Sequence, residues 1–219
     1  MMKLGDPKNV FWEALLLTAI VFVFGIFLGL AIENSRIEDV NEYYVNSEIS
    51  LIDILALNNV ISSGNSSCSE LIVSNLEFAD RIYEESKILD DYDEASKLSD
   101  NLKLVHKRYD LLRTLLWVSS SQTQKECQGK FSIVVYLYHR ETDDLTERAS
   151  QNVWSRVLQD LKEKKGSEIV LIPISVDNEL SSLQTMVGKY KIKGYPTVII
   201  DDKVITELKS VSELEEYLV

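Results

Sequence analysis

YKIKGYPTVII, residues 190–200, is the stretch that decides the fold. Gly194 and Pro196 are turn punctuation, and the run Thr197, Val198, Ile199 and Ile200 that follows is β-rich. Tyr190 closes a helical pattern that starts at Leu180. Before that helix stands EIVLIPISVD (168–177), which reads as a strand. Further upstream, residues 145–165 are helical in pattern, with Val153, Trp154, Val157, Leu158 and Leu161 on the apolar side. FSIVVYLYH (131–139) is another β-rich run. Downstream, TVIIDD and KVITEL form a hairpin, and VSELEEYLV closes the chain as a short helix. The order β-α-β-α-β-β-α predicts a four-stranded mixed sheet with helices packed on it. Pro173 lies inside the second strand, and an edge position is where a sheet tolerates proline.

With these residues in place, 131–219 resembles the thioredoxin family. Tyr190 ends a helix, Gly194 stands two residues before Pro196, and Pro196-Thr197 opens a strand, as in that family. SVDNE (175–179) is similar to the end of the strand that precedes the thioredoxin helix. The resemblance implies an α/β thioredoxin-like domain and a cis Tyr195–Pro196 bond. It also marks a departure. Thioredoxins carry Cys-x-x-Cys at the head of the helix after the first strand, whereas this chain reads YHRETDDLTERA (138–149). Disulfide exchange needs a thiolate at that helix terminus, where the dipole lowers its pKa. Glu141, Asp143 and Asp144 cannot attack sulfur; they read as carboxylates complementing the dipole. His139 has no nucleophile in register and reads as a loop-lining residue. The resemblance therefore implies a redox-inactive member, with no catalytic residue and no cofactor. Relatives hold extended polypeptides beside the cis-proline, a form of strand addition. The corresponding binding residues here would be Gly194, Tyr195, Pro196, Thr197, His139 and Glu141, and the acidic loop from His139 to Asp144 that lines the surface would favour a basic or neutral segment. The alternative is that Pro196 only shapes the turn.

At the other end, Ala14 to Ile32 runs nineteen residues without a charge. At about 1.5 Å per residue it spans roughly 30 Å, a bilayer's hydrocarbon core. Trp12 can anchor at the headgroups. We read 10–32 as a transmembrane signal-anchor helix and 1–9 as a cytoplasmic tail. Lys3, Lys8 and the amino terminus lie before the span, against Arg36 after it, which places the bulk of the chain outside the cytoplasm. A cleaved signal peptide is the rival reading, because Gly29-Leu30-Ala31 has the small-x-small form of a cleavage site. Both readings export the same region.

Residues 33–118 hold 17 acidic and 8 basic side chains and no proline. Ile37, Val40, Tyr44, Leu51, Ile54 and Ile61, with Ser47 and Asn58, mark a helix face. Ser62-Ser63-Gly64-Asn65 reads as a turn. A second helix from about Ser67 to Leu89 would bury Leu71, Ile72, Leu76, Phe78, Ala79, Ile82 and Leu89, with Asp90–Asp93 as a turn or helix start. A third shows a heptad at Leu98, Leu102, Val105, Tyr109, Leu112 and Leu116. This acidic region is either a helical hairpin or bundle, or a coiled coil that makes a homodimer; the periodicity fits both. Residues 119–130 read as a linker. If the second and third helices are antiparallel, Cys68 and Cys127 meet in a disulfide, in keeping with an oxidising compartment.

The fold class is thus α+β overall: a membrane helix, a helical region and an α/β domain. A net charge of −12 argues against nucleic-acid binding. Two cysteines and two histidines, without ligand spacing, predict no metal site. The partners expected are a membrane and a protein or peptide. Three functions remain: a non-catalytic interaction or assembly module, a thiol-disulfide oxidoreductase using Cys68 and Cys127, and a structural stalk.

Overall fold

The computed structural model describes residues 7–62, 67–95, 100–127 and 131–219. The chain divides into two compact units, Met1–Tyr44 and Val45–Val219.

The first unit holds most of the apolar part of helix α1 (Pro7–Ser62). Within it, Phe11–Ala31 is exposed along its length, and by length and composition it is apolar enough to cross a membrane. The side chains of Ile37, Val40 and Tyr44 lie outside the described residues.

In the second unit, the end of α1 is followed by α2 (Cys68–Ala95) and α3 (Asp100–Glu126). From α1, Leu51 is buried. Ser47, Ile54, Asn58 and Ile61, together with Leu89, Leu98, Leu102 and the turn at Ser63-Gly64-Asn65, lie outside the described side chains. The inward face of α2 is Leu71, Ile72, Phe78, Ala79 and Ile82, with Leu76 half-buried. On α3, Tyr109, Leu112, Leu116 and Trp117 are buried. The heptad residues Tyr109, Leu112 and Leu116 are thus used inside the chain. Cys68 and Cys127 are bonded, with Cα atoms 5.6 Å apart, and Tyr109 Oη donates to the Ile82 carbonyl. These two ties set α2 and α3 antiparallel.

Two boundaries differ from expectation. Asp90–Asp93 lies within α2 rather than at its end, since nothing there removes an amide or demands a left-handed backbone. The stretch read as linker continues α3 to Glu126. Its small polar residues face inward: Ser119, Ser120 and Thr123 are buried around Asn75 of α2. Asn75 Nδ2 donates to Thr123 Oγ1 at 3.2 Å and to the Leu71 carbonyl at 3.0 Å. A buried polar seam needs such partners, and its composition disguises it as a loop.

The sheet has order β2-β1-β3-β4, from β1 (Ser132–Tyr138), β2 (Ile169–Ser175), β3 (Thr197–Ile200) and β4 (Lys203–Ile205). β1 pairs parallel with β2 and antiparallel with β3, and β3 pairs antiparallel with β4. β1 and β2 are joined by α4 (Leu145–Lys165), β2 and β3 by α5 (Ser181–Tyr190), and α6 (Val211–Glu215) ends the chain. Trp154, Leu158 and Leu161 of α4 pack with Val134, Tyr136, Ile169, Val198 and Leu214 in one core. Val153, expected on that face, is exposed, and Val157 is half-buried.

β2 is an edge, and Pro173 sits in it opposite Tyr136. Val176 N donates inward to the Tyr138 carbonyl, so by alternation the amide positions of Ser175 and Pro173 point away from β1. Proline occupies a place where no ladder bond is lost. The outward amide of Ser175 is taken by Asp110 of α3, at 3.1 Å. The helical region is therefore seated against this edge.

Candidate functional site

β1 and β2 run parallel, and the carboxyl ends of such strands are where an α/β sheet offers side chains and free loops to a ligand. Tyr138 ends β1; His139, Arg140, Glu141 and Thr142 lead from it to α4. Asp144 is the N-cap of α4, accepting from Thr146 N at 2.8 Å and Glu147 N at 3.3 Å. It satisfies amides that the helix cannot pair and adds negative charge at the positive end of the dipole.

Glu147 does not turn back to close a capping box. Its Oε1 accepts from His139 Nδ1 at 2.6 Å and from Gln151 Nε2 at 3.0 Å, and its Oε2 accepts from Thr142 Oγ1 at 3.0 Å. The carboxylate orients the imidazole by holding its Nδ1–H. The His139 ring meets the Tyr195 ring edge-on, with centroids 4.8 Å apart. Arg148 donates to the Thr142 carbonyl at 2.6 Å, tying the loop to the helix.

The loop opposite carries the other expected residues. The Tyr195–Pro196 bond is cis. Gly194 is exposed, Tyr195 and Pro196 are half-buried, and Thr197 is buried as the first residue of β3. Thr197 Oγ1 donates to the Gly194 carbonyl at 2.6 Å. The ladder between β1 and β3 ends at the Leu137–Thr197 pair, so the backbone at Gly194 and Tyr195 lies beyond it. Burial pushes the Tyr195 phenol above its ordinary pKa, so the ring is neutral at physiological pH. The structure thus brings His139 and Tyr195 together, with Gly194, Pro196 and Thr197 in the same loop. Glu141 is separate: its side chain is exposed, and its main-chain N–H donates to Asp177 Oδ2 at 3.3 Å.

Residue pattern missed a second polar cluster, behind the first. Asp110 of α3 is fully buried; its Oδ1 accepts from Ser175 N and its Oδ2 from Asn178 Nδ2 at 2.7 Å. Arg113, also buried, lies 3.9 Å from Asp110 and stacks its guanidinium 4.0 Å from the Tyr109 ring centroid. Arg140 donates to the His106 ring, and its main-chain N–H donates to Asp177. Burial raises the Asp110 carboxyl pKa, against the lowering pull of Arg113, Arg140, Asn178 and the Ser175 amide. Burial works to lower the Arg113 guanidinium, yet Tyr109, Tyr138 and Asp110 hold it above its ordinary value. Glu147 could have been flagged from the spacing Asp144-x-x-Glu147, a helix-start pattern. Asp110 and Arg113 carry no such local signal.

Among the described residues no group of three or more His, Cys, Asp or Glu side chains is placed to hold a metal ion. The only cysteines are the bonded pair, outside this site. Compared with known proteins, the chain matches no family model and no curated protein.

Proposed function

We propose that the chain is a membrane-anchored, redox-inactive thioredoxin-like module, held outside the cytoplasm, that binds an extended polypeptide beside the Gly194–Thr197 loop. One observation carries the reading. The head of α4, where a thioredoxin keeps its reactive thiol, is filled here by hydrogen bonds that join Asp144 to Thr142 and Glu147, and Glu147 to Thr142 and His139. The loop beside it leaves the backbone of Gly194 and Tyr195 outside the ladder. Thiol exchange has no sulfur there, while strand addition needs only main-chain groups. The 2-1-3-4 strand order with an antiparallel third strand supports the family resemblance. The apolar helix Phe11–Ala31 supports the anchor, and the disulfide supports an oxidising compartment.

The test is affinity capture from membranes, comparing the wild type with Tyr195→Ala. Loss of a specific companion from the variant supports the groove; an unchanged set of companions refutes it. Insulin reduction by the purified protein should be blank. Sustained turnover would replace this reading with an oxidoreductase built on Cys68 and Cys127.

A further inference from the structure

Resting on the groove reading above, we propose that the extended segment received beside Tyr195 carries a glycine at the residue paired with it, because the His139 ring fills the place of that residue's side chain. Strand register sets the geometry. Asp201 N donates to the Ile133 carbonyl at 2.8 Å, which makes Ile133–Asp201 a hydrogen-bonded pair of the antiparallel β1–β3 ladder. Every second pair of such a ladder is of this kind, so Val135–Ile199 and Leu137–Thr197 follow in the observed register. His139–Tyr195 would be next, and there the strands part. No main-chain bond joins these two residues, and among the described residues the Tyr195 N–H and C=O have no partner. By the same alternation both groups face the gap between the two loops.

Directly opposite residues of an antiparallel pair put their side chains on the same face. His139 and Tyr195 do so across the gap, with ring centroids 4.8 Å apart, and the two rings close that face as a floor. The imidazole is not free to swing away. Its Nδ1 is held by Glu147 at 2.6 Å, and that carboxylate is fixed in turn by Thr142 and Gln151, each at 3.0 Å. A segment entering antiparallel to Tyr195 would exchange two hydrogen bonds with it through a single residue, the Cα atoms about 5.5 Å apart. The side chain of that residue would point to the face of the Tyr195 ring, into the imidazole, and glycine has none. The residues before and after it point to the opposite face, away from the rings, and can be large. Main-chain pairing is blind to sequence, whereas the floor rejects a side chain by collision.

The experiment is fluorescence anisotropy with the full chain in nonionic detergent micelles. The probes are labelled peptides of sequence Lys-Val-Xaa-Val-Lys, capped at both ends, with glycine, alanine or valine at Xaa; the Tyr195 amide resonance reports where they bind. The wild type should hold the glycine peptide about tenfold more tightly than the valine peptide, and the glycine peptide should shift the Tyr195 amide. His139→Ala and His139→Ser, with unchanged melting and an intact disulfide, should hold the valine peptide at least as well as the glycine one, because valine suits an extended chain better. Valine bound as tightly as glycine by the wild type overturns the inference while leaving the groove in place. A glycine preference kept by both variants also overturns it, because the ring is then not its cause. If no peptide shifts the Tyr195 amide in any of the three proteins, the groove reading falls and the glycine rule falls with it.

Discussion

Replacing Asp110 by alanine tests how the helical region is fastened to the sheet. The side chain is fully buried, accepts two hydrogen bonds from the end of β2 and the following turn, and faces Arg113 and Arg140. The pair is not strongly stabilising in itself, since burial outweighs its partners and lifts the carboxyl pKa above the ordinary 3.8. Removing one member is another matter, because Arg113 then stays buried without its counter-charge and the Ser175 amide loses its acceptor. That should cost about 3–5 kcal/mol. For a unit of this size each kcal/mol moves the melting temperature by about 2–4 °C. Urea and thermal unfolding of residues 45–219, followed by circular dichroism, would measure it. Asp110→Ala with Arg113→Met should recover part of the loss, giving a coupling of about 1–3 kcal/mol. The pH dependence has a definite sign. Native Asp110 keeps its proton to higher pH than the unfolded chain does, so the native state binds more protons between the two values. Stability relative to Asp110→Asn should therefore fall as pH rises from about 4 through the native pKa. A single-variant cost below about 1 kcal/mol, or additive single effects, would refute the account.

Reducing the Cys68–Cys127 bond, which spans 59 positions, should lower stability by about 4 kcal/mol in the chain-entropy model; unchanged unfolding in reductant would contradict it. Asp144→Ala should cost about 1 kcal/mol through the lost α4 cap, read by chemical denaturation, with a null effect counting against the cap. Glu141→Gln with Asp143→Asn should leave unfolding unchanged but weaken capture of a basic companion about two- to fivefold, as added salt should. Equal capture by the neutralised variant would remove charge from the recognition.

The sheet could be read from residues because its signals are local. Thr197–Ile200 is β-branched between a turn and a hairpin, and Pro173 announces an edge. Trp154, Leu158 and Leu161 repeat at helical spacing and are buried together, as that spacing requires. The end of α3 reads as a linker because buried Ser119, Ser120 and Thr123 have loop composition, and only Asn75 across the seam gives them a place. The seat of α3 on β2 was invisible for a related reason. Asp110 meets Ser175 across 65 positions, and an aspartate on a charged helix reads as solvated until its partners are known.

His139 and Glu141 stand two positions apart in sequence, yet the structure separates their roles. Of the four carboxylates between 141 and 147, Asp144 is used by the helix amides and Glu147 by His139, Thr142 and Gln151. The positive end of the α4 dipole is thereby answered from within the chain, and it cannot lower the pKa of an incoming group as it would for a thiol. Glu141 and Asp143 remain outward. Under the proposed reading, the division leaves a neutral floor formed by the Tyr195 ring and the Gly194–Tyr195 backbone, with negative charge at its rim. Main-chain pairing would then supply affinity without regard to sequence, and the rim would choose among partners by charge. Such a surface suits a module that holds a polypeptide rather than one that transforms it.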